Sequence, residues 1–203
     1  TAFVVARCPQ LNPGVAKLTV TALRSFLGFL HLDGVTERSL VHAAPKVLRR
    51  RLAGLPKGLE PDQVRRLLAA CDVDTAVGCR DLAILTLLVR FGLRRGEVAR
   101  LRLDDIDWRA GTISVHGKGN CYEQVPLPPD VGYRVAEYLQ HGRPTHAKER
   151  TVFVRHLAPH HALSTTRVST IVADVARRAG LGRVHAHRLR HTAATELLRA
   201  GAS

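Results

Sequence analysis

The chain contains no methionine, a single tryptophan, and aromatic residues at only 4% of its 203 positions. Without a methionine, residue 1 need not be a natural start, and truncation at the N-terminus is expected. Acidic residues are scarce: 17 stand against 31 lysines and arginines, a formal charge of +14. That balance favours a polyanionic partner, nucleic acid first, because the basic residues are spread through the chain and no polybasic block flanks a lipid-anchoring signal. Long apolar runs are missing too. The longest, Leu82–Phe91, is broken by Thr86 and Arg90 and is about half of what a bilayer requires, so it reads as a buried helix and no membrane partner is expected. The four cysteines, Cys8, Cys71, Cys79 and Cys121, have no C-x-x-C spacing, and no secretory signal opens the chain. Reduced thiols in a cytoplasmic protein are expected. Histidines number 11, but His160 and His161 sit beside Pro159 with neither a helical H-E-x-x-H nor a cysteine partner. No metal site and no cofactor is expected.

Apolar residues recur at Val20, Leu23, Leu27 and Leu30, which predicts a helix over 19–31, and a short second helix is expected after Thr36. Helical patterning then stops at Arg49-Arg50-Arg51 through Leu55-Pro56-Lys57-Gly58-Leu59, where a domain linker is expected. Residues 1–55 carry eight basic and two acidic residues, and 56–203 carry 23 and 15, so positive charge is denser in the shorter part. Pro61 starts a helix predicted to reach about Ala70; others follow over 80–91 and, after Gly92, through Glu97 and Leu101. The period then changes to two. Residues 111–116 and 121–127 read as strands joined by Gly117-Lys118-Gly119-Asn120, a β-hairpin with a lysine near its tip. Helix resumes over about 130–139, 151–154 is a candidate short strand, and Val168, Ile171, Val172, Val175 and Ala179 mark a helix ended by Gly180. A last helix is predicted from near His187 to Gly201. The expected fold is mainly α with a small antiparallel β-hairpin or sheet, in two lobes of residues 1–55 and 56–203.

Four basic groups stand at element ends: Arg94, Lys118, His187 and Arg190. His187 and Arg190 are three apart and share a helix face. Two guanidiniums, a lysine and an imidazole aimed at one point can neutralise a phosphodiester without a metal, because guanidinium forks match phosphate oxygens. Taken singly, each has a plainer reading as a solvated, capping or turn residue. Asp104, Asp105 and Asp107 raise the alternative of a metal-dependent nuclease, but their place in a turn favours capping.

Order and context sharpen this. The segments GLRRGEVARLRLDDIDWRAGTISVHGKGNCYEQVPLP, beginning at Gly92, and HRLRHTAATELLRAGAS, beginning at His187, resemble the tyrosine recombinases, the family that includes the phage integrases. The resemblance runs from about Leu59 to the end; residues 1–55 resemble more weakly the later part of that family's N-terminal helical DNA-binding domain. It implies a two-lobe clamp on duplex DNA and site-specific strand breakage and rejoining through a 3′-phosphotyrosyl intermediate, with no metal or nucleotide cofactor. Arg94 and Arg190 would hold the nonbridging phosphate oxygens, Lys118 would protonate the leaving 5′ oxygen, and His187 would help move the tyrosine proton. Glu97 would orient the arginine box and His191 would support the packing around His187. Homotetramers on two recombination sites are implied for the full-length protein, acting in the bacterial cytoplasm at the nucleoid. The family's pattern next calls for a His or Trp box and then a nucleophilic tyrosine. The sequence stops at Ser203 before either, and Tyr122, Tyr133 and Tyr138 fall too early in the order. The 203 residues alone are therefore expected to bind but not to cleave; a non-catalytic DNA-binding protein on the same fold is the alternative.

Overall fold

The computed structural model describes residues 2–7, 10–44, 58–116 and 122–199. Two compact units are present, Thr1–Leu55 and Pro56–Ser203. The expected linker falls mostly on residues 45–57, outside the described ones.

The first unit holds α1 (Ala2–Arg7) and α2 (Pro13–Leu32). The helix expected over 19–31 starts six residues earlier, because Pro13 supplies a preset first-turn φ and Asn12 Oδ1 accepts from the Gly14 N–H at 2.9 Å. Val4, Val20 and Ala44 form a small core with Leu23 and Leu27 against it. Among the described residues after Thr36 in this unit there is one 3₁₀ turn, Val41–Ala43, and Arg24 Nη2 of α2 donates to the Ala44 carbonyl that follows it at 2.8 Å. The stretch Gly14–Leu32 is long and apolar enough, by length and composition, to cross a membrane, with mean hydropathy 1.2. Single polar residues, Lys17 and Arg24 among them, interrupt it, so it holds no long unbroken apolar run. Only 11% of it is buried, and Val15, Leu18, Phe26 and Phe29 are exposed.

The second unit is organised around α4 (Ala76–Arg90), whose residues are buried from Gly78 through Val89. Leu82, Ile84, Leu85, Leu87 and Leu88 face every side of the helix, so neighbours must enclose it, and each fully buried leucine contributes about 1.5–3 kcal/mol. The neighbours are α3 (Pro61–Ala69), α5 (Arg95–Arg100), α6 (Pro129–Glu137), α7 (Thr165–Arg178) and α8 (Ala186–Arg199). α4 begins four residues before the predicted point. Its Ala-Val-Gly-Cys opening shows no stripe, but Thr75 Oγ1 accepts from the Gly78 N–H at 3.0 Å, and only glycine fits there, since a Cβ would stand 1.7 Å from the Asp72 carbonyl oxygen.

The predicted hairpin is β2 (Thr112–His116) and β3 (Tyr122–Pro126), in register Ile113↔Val125 and His116↔Tyr122. A third strand, β1 (Ile106–Asp107), pairs antiparallel with β2 and completes a sheet of order β1-β2-β3. Residues 151–154 do not form a strand: Thr151 and Val154 make isolated bridges to Arg102 and Ala162, because Val152 and Phe153 turn fully into the core instead of continuing a ladder. After α6 the chain makes one π turn, Tyr138–Gly142. The start of the unit is fastened to α8: the buried Leu59 N–H donates to Thr192 Oγ1 at 2.8 Å, and a Cβ on Gly58 would meet Thr192 Cα at 3.1 Å. Arg66 Nη2 reaches the Ala179 carbonyl, also at 2.8 Å, beside the positive-φ Gly180 that stops α7.

Candidate active site

Arg94 lies in the short connection between α4 and α5. Gly92, at φ +61°, turns the chain there, a backbone shape that L side chains resist, and a Cβ would approach Ala193 Cβ to 3.1 Å. The next turn is set by Glu97. Its Oε2 accepts the backbone N–H of Arg94 at 2.6 Å and its Oε1 accepts Arg94 Nη1 at 2.6 Å, so one carboxylate starts α5 and also holds the guanidinium. Glu97 is buried, whereas the Arg94 side chain remains 57% exposed.

α8 brings the other members. Arg190 Nη1 donates to the Gly92 carbonyl at 2.8 Å, which ties the helix to the Arg94 turn across 98 residues of sequence. His187 and His191, one turn apart, stand edge to face with ring centroids 4.6 Å apart and their Nε2 atoms 3.2 Å apart. That contact needs one ring to donate and the other to accept. A cavity of about 580 Å³ is lined by Arg94, Arg95, His185, His187, Arg190 and Ser169, with Leu93 and Ala186.

No carboxylate is among these lining residues. Of the three guanidiniums, Arg190 is held by a carbonyl and Arg95 by Ser169 Oγ at 3.0 Å, neutral acceptors that orient a cation without cancelling it. Among the described residues, Arg94 alone of the three has an anionic partner, Glu97. The cavity, lined from the α4–α5 connection, α7 and α8, therefore keeps a positive excess, an arrangement suited to an anion with several acceptor oxygens. A second cavity of about 480 Å³, lined by Val64, Leu68, Val89, Ala193 and Leu197 among others, lies on a more apolar side of α4 and α8.

Thus Arg94, His187 and Arg190 meet, with Glu97 and His191 each touching one of them. Lys118 lies outside the described residues. The sequence reading missed Arg95 with Ser169, 74 residues apart, and His185; neither pattern has a local period to reveal it. Tyr122, Tyr133 and Tyr138 do not line the cavity: Tyr138 is buried against Phe153, with its hydroxyl 3.4 Å from the Val154 N–H, and the other two are exposed. The three aspartates are engaged locally. Asp104 pairs with Arg150, Asp105 accepts from the Arg102 N–H and contacts His116, and Asp107 Oδ1 closes a turn on the N–H groups of Arg109 and Ala110. Among the described residues no three His, Cys, Asp or Glu side chains group as a metal site would require.

The chain belongs to the phage integrase family, whose model matches residues 57–203. Within it, the integrase/recombinase y4rA of Sinorhizobium fredii is 42% identical over 206 residues, covering 100% of this chain and 50% of that protein. A second protein of that organism, y4gC, is 43% identical over 151 residues, 72% of this chain and 77% of its own. Tyrosine recombinase XerD of Listeria innocua is 34% identical over 97% of this chain and 67% of itself. The chain spans about half the length of y4rA. Among solved structures, the XerH site-specific recombinase in a post-cleavage complex with difH substrate has a TM-score of 0.78 at 23% identity, covering 98% of this chain and 60% of that one. A lambda integrase dimer on a core site has a TM-score of 0.75 at 16% identity, over 98% and 72% respectively. At these identities the likeness is one of fold, and the fold is the tyrosine-recombinase catalytic fold.

Proposed function

We propose that this chain is the DNA-gripping and phosphate-handling part of a site-specific recombinase that breaks and rejoins duplex DNA through a 3′-phosphotyrosyl intermediate. The observation that carries the reading is the convergence of Arg94, Arg190 and His187 on one cavity whose lining residues include no acid. Arg94 and Arg190 bind the nonbridging oxygens of the scissile phosphate and stabilise the charge that builds on them at the transition state. The tyrosine oxygen, from the segment that follows the His-x-x-Arg helix in the family, forms the new bond to phosphorus and gives up its proton with the help of His187. The bond from phosphorus to the 5′ oxygen breaks, and Lys118 supplies the proton that oxygen needs to leave as a hydroxyl. Glu97 holds Arg94 in place, and His191 fixes the ring of His187. The reaction consumes no cofactor, because the phosphotyrosyl bond stores the energy for rejoining.

Residues 1–55 and 56–203 act as two lobes that each contact the duplex, with affinity dominated by phosphate neutralisation. The full-length protein works as a homotetramer on two sites, as in the solved lambda integrase tetramer bound to a Holliday junction, and does so in the bacterial cytoplasm at the nucleoid.

The test is a denaturing-gel assay for protein–DNA adducts on a nicked suicide substrate. The 203-residue chain is expected to bind with strong salt dependence and form no adduct. The full-length protein forms one, and Arg94→Ala or Arg190→Ala lowers its cleavage about 10²–10³-fold. Cleavage unaffected by either arginine substitution, or an adduct formed by the 203-residue chain itself, overturns the assignment.

A further inference from the structure

Arg95 is the guanidinium of the cavity that the proposed chemistry leaves without a task. The nonbridging oxygens of the scissile phosphate go to Arg94 and Arg190, and both of those side chains are anchored at one corner: Arg94 on Glu97 of its own helix, Arg190 on the Gly92 carbonyl of the same turn. Arg95 is anchored elsewhere. Its Nη1 donates to Ser169 Oγ of α7 at 3.0 Å, and the Ser169 hydroxyl donates in turn to the Thr165 carbonyl at 3.3 Å, which commits its proton and leaves a lone pair for the guanidinium. The two arginines also leave the backbone differently. Arg94 caps α5 in an extended conformation, φ −73° and ψ 146°, whereas Arg95 is the first residue of the helix. The cavity thus carries cations on two walls, and at about 580 Å³ it is several times larger than one phosphate group.

The placement of Arg95 is unfavourable without an anion. It follows another arginine and stands in the first turn of α5, where free backbone N–H groups already carry positive charge. Holding so long a side chain on one hydroxyl loses rotamer entropy. Among the described residues the Arg95 side chain makes no ion pair and no hydrogen bond besides the one to Ser169, so most of its five N–H donors remain for a ligand. We propose that Arg95, aimed by Ser169, grips a second phosphate of the cleaved strand, the immediate neighbour of the scissile one, and so sets which phosphate lies between Arg94 and Arg190. It positions the strand and takes no part in breaking the bond. Successive phosphates of one strand are covalently spaced, so a cation fixed on the α7 wall receives one of them only when its neighbour stands at the Arg94–Arg190 corner. The proposal rests on the reading of this cavity as the scissile-phosphate site.

The experiment uses the full-length protein and a nicked suicide substrate bearing its own recombination site, with neutral methylphosphonate replacing one phosphate at a time around the scissile bond. On the all-phosphate substrate Arg95→Ala is expected to slow cleavage about 10-fold and to give some adducts displaced by one nucleotide. Methylphosphonate at one neighbouring phosphate, on the 5′ or the 3′ side, should slow the wild type by the same factor and leave Arg95→Ala no further to fall, while substitutions farther away slow both proteins alike. Arg95→Gln, which keeps a donor for Ser169 without the charge, should match the alanine and carries the comparison if Arg95→Ala does not fold. In the 203-residue chain on a duplex of arbitrary sequence, Arg95→Ala should reduce the slope of log affinity against log salt by about 0.9. Arg94→Ala is the control and should couple to the scissile phosphate alone. If it couples to none, the reading of the cavity is wrong. If Arg94→Ala behaves as expected but Arg95→Ala is additive with every methylphosphonate, couples to the scissile phosphate itself, or leaves cleavage or the salt slope unchanged, the second-phosphate role is overturned.

Discussion

Replacing Glu97 by alanine removes two bonds at once, the cap on the Arg94 N–H and the grip on Arg94 Nη1, each 2.6 Å long. α5 has only six residues and cannot sustain itself without a defined start. Losing the cap costs about 1 kcal/mol. The ion pair adds only about 0.5 kcal/mol, since more than half of the Arg94 side chain is in water and the pair is screened accordingly. The sum, about 1.5 kcal/mol, corresponds to a Tm lowered by about 3–6 °C for a unit of this size. Glu97→Gln keeps one acceptor oxygen for the backbone N–H and should lose about half as much. Thermal unfolding of residues 56–203, followed by circular dichroism, reads this directly, and cleavage by the full-length protein should fall further than stability because Arg94 is no longer oriented. A Tm unchanged within about 1 °C for Glu97→Ala, or a Glu97→Gln as damaging as the alanine, would refute the reasoning.

Two further outcomes follow from buried groups. Thr192→Val leaves the Leu59 N–H without its acceptor and should cost about 1–3 kcal/mol, whereas Thr192→Ser should cost less; urea unfolding distinguishes them. Cys71 is buried, and that burial, with the nearby Asp81 carboxylate, pushes its thiol from 9.0 up to about 12. The folded chain keeps this proton while the unfolded chain loses it, so the contribution of Cys71 to stability is fully present below about pH 9 and is lost as pH rises toward 12. Alkylation at pH 8 followed by mass spectrometry should modify Cys71 only in denaturant; rapid labelling of the native chain would contradict its burial.

The parts of the fold that were legible in the sequence are those with a local period. Apolar residues packed around α4 and the stripe from Val168 to Ala179 give those helices away, and the glycine-rich turn between two alternating segments gives the hairpin. Arg94, His187 and Arg190 were found by their order and context, and the structure brings them to one cavity. Other features depend on partners distant in sequence. β1 is two residues long and reads as part of an aspartate turn, so only its pairing with β2 makes it a strand. Arg95 meets Ser169, and His116 meets Asp105, across separations with no repeating signal. The buried Arg80–Asp81 pair was hidden by its chemistry: adjacent charges normally mark a surface, and burial here pushes the Asp81 carboxyl up even though Arg80 opposes the shift from 2.8 Å.

The bond from Leu59 to Thr192 has a mechanical meaning. Thr192 sits two residues past Arg190, on the helix that also presents His187, so Leu59 makes the start of the described part of the second unit fast to the helix that carries both of these cavity residues. A change in the backbone at Leu59 is therefore felt first at the turn of α8 that follows Arg190.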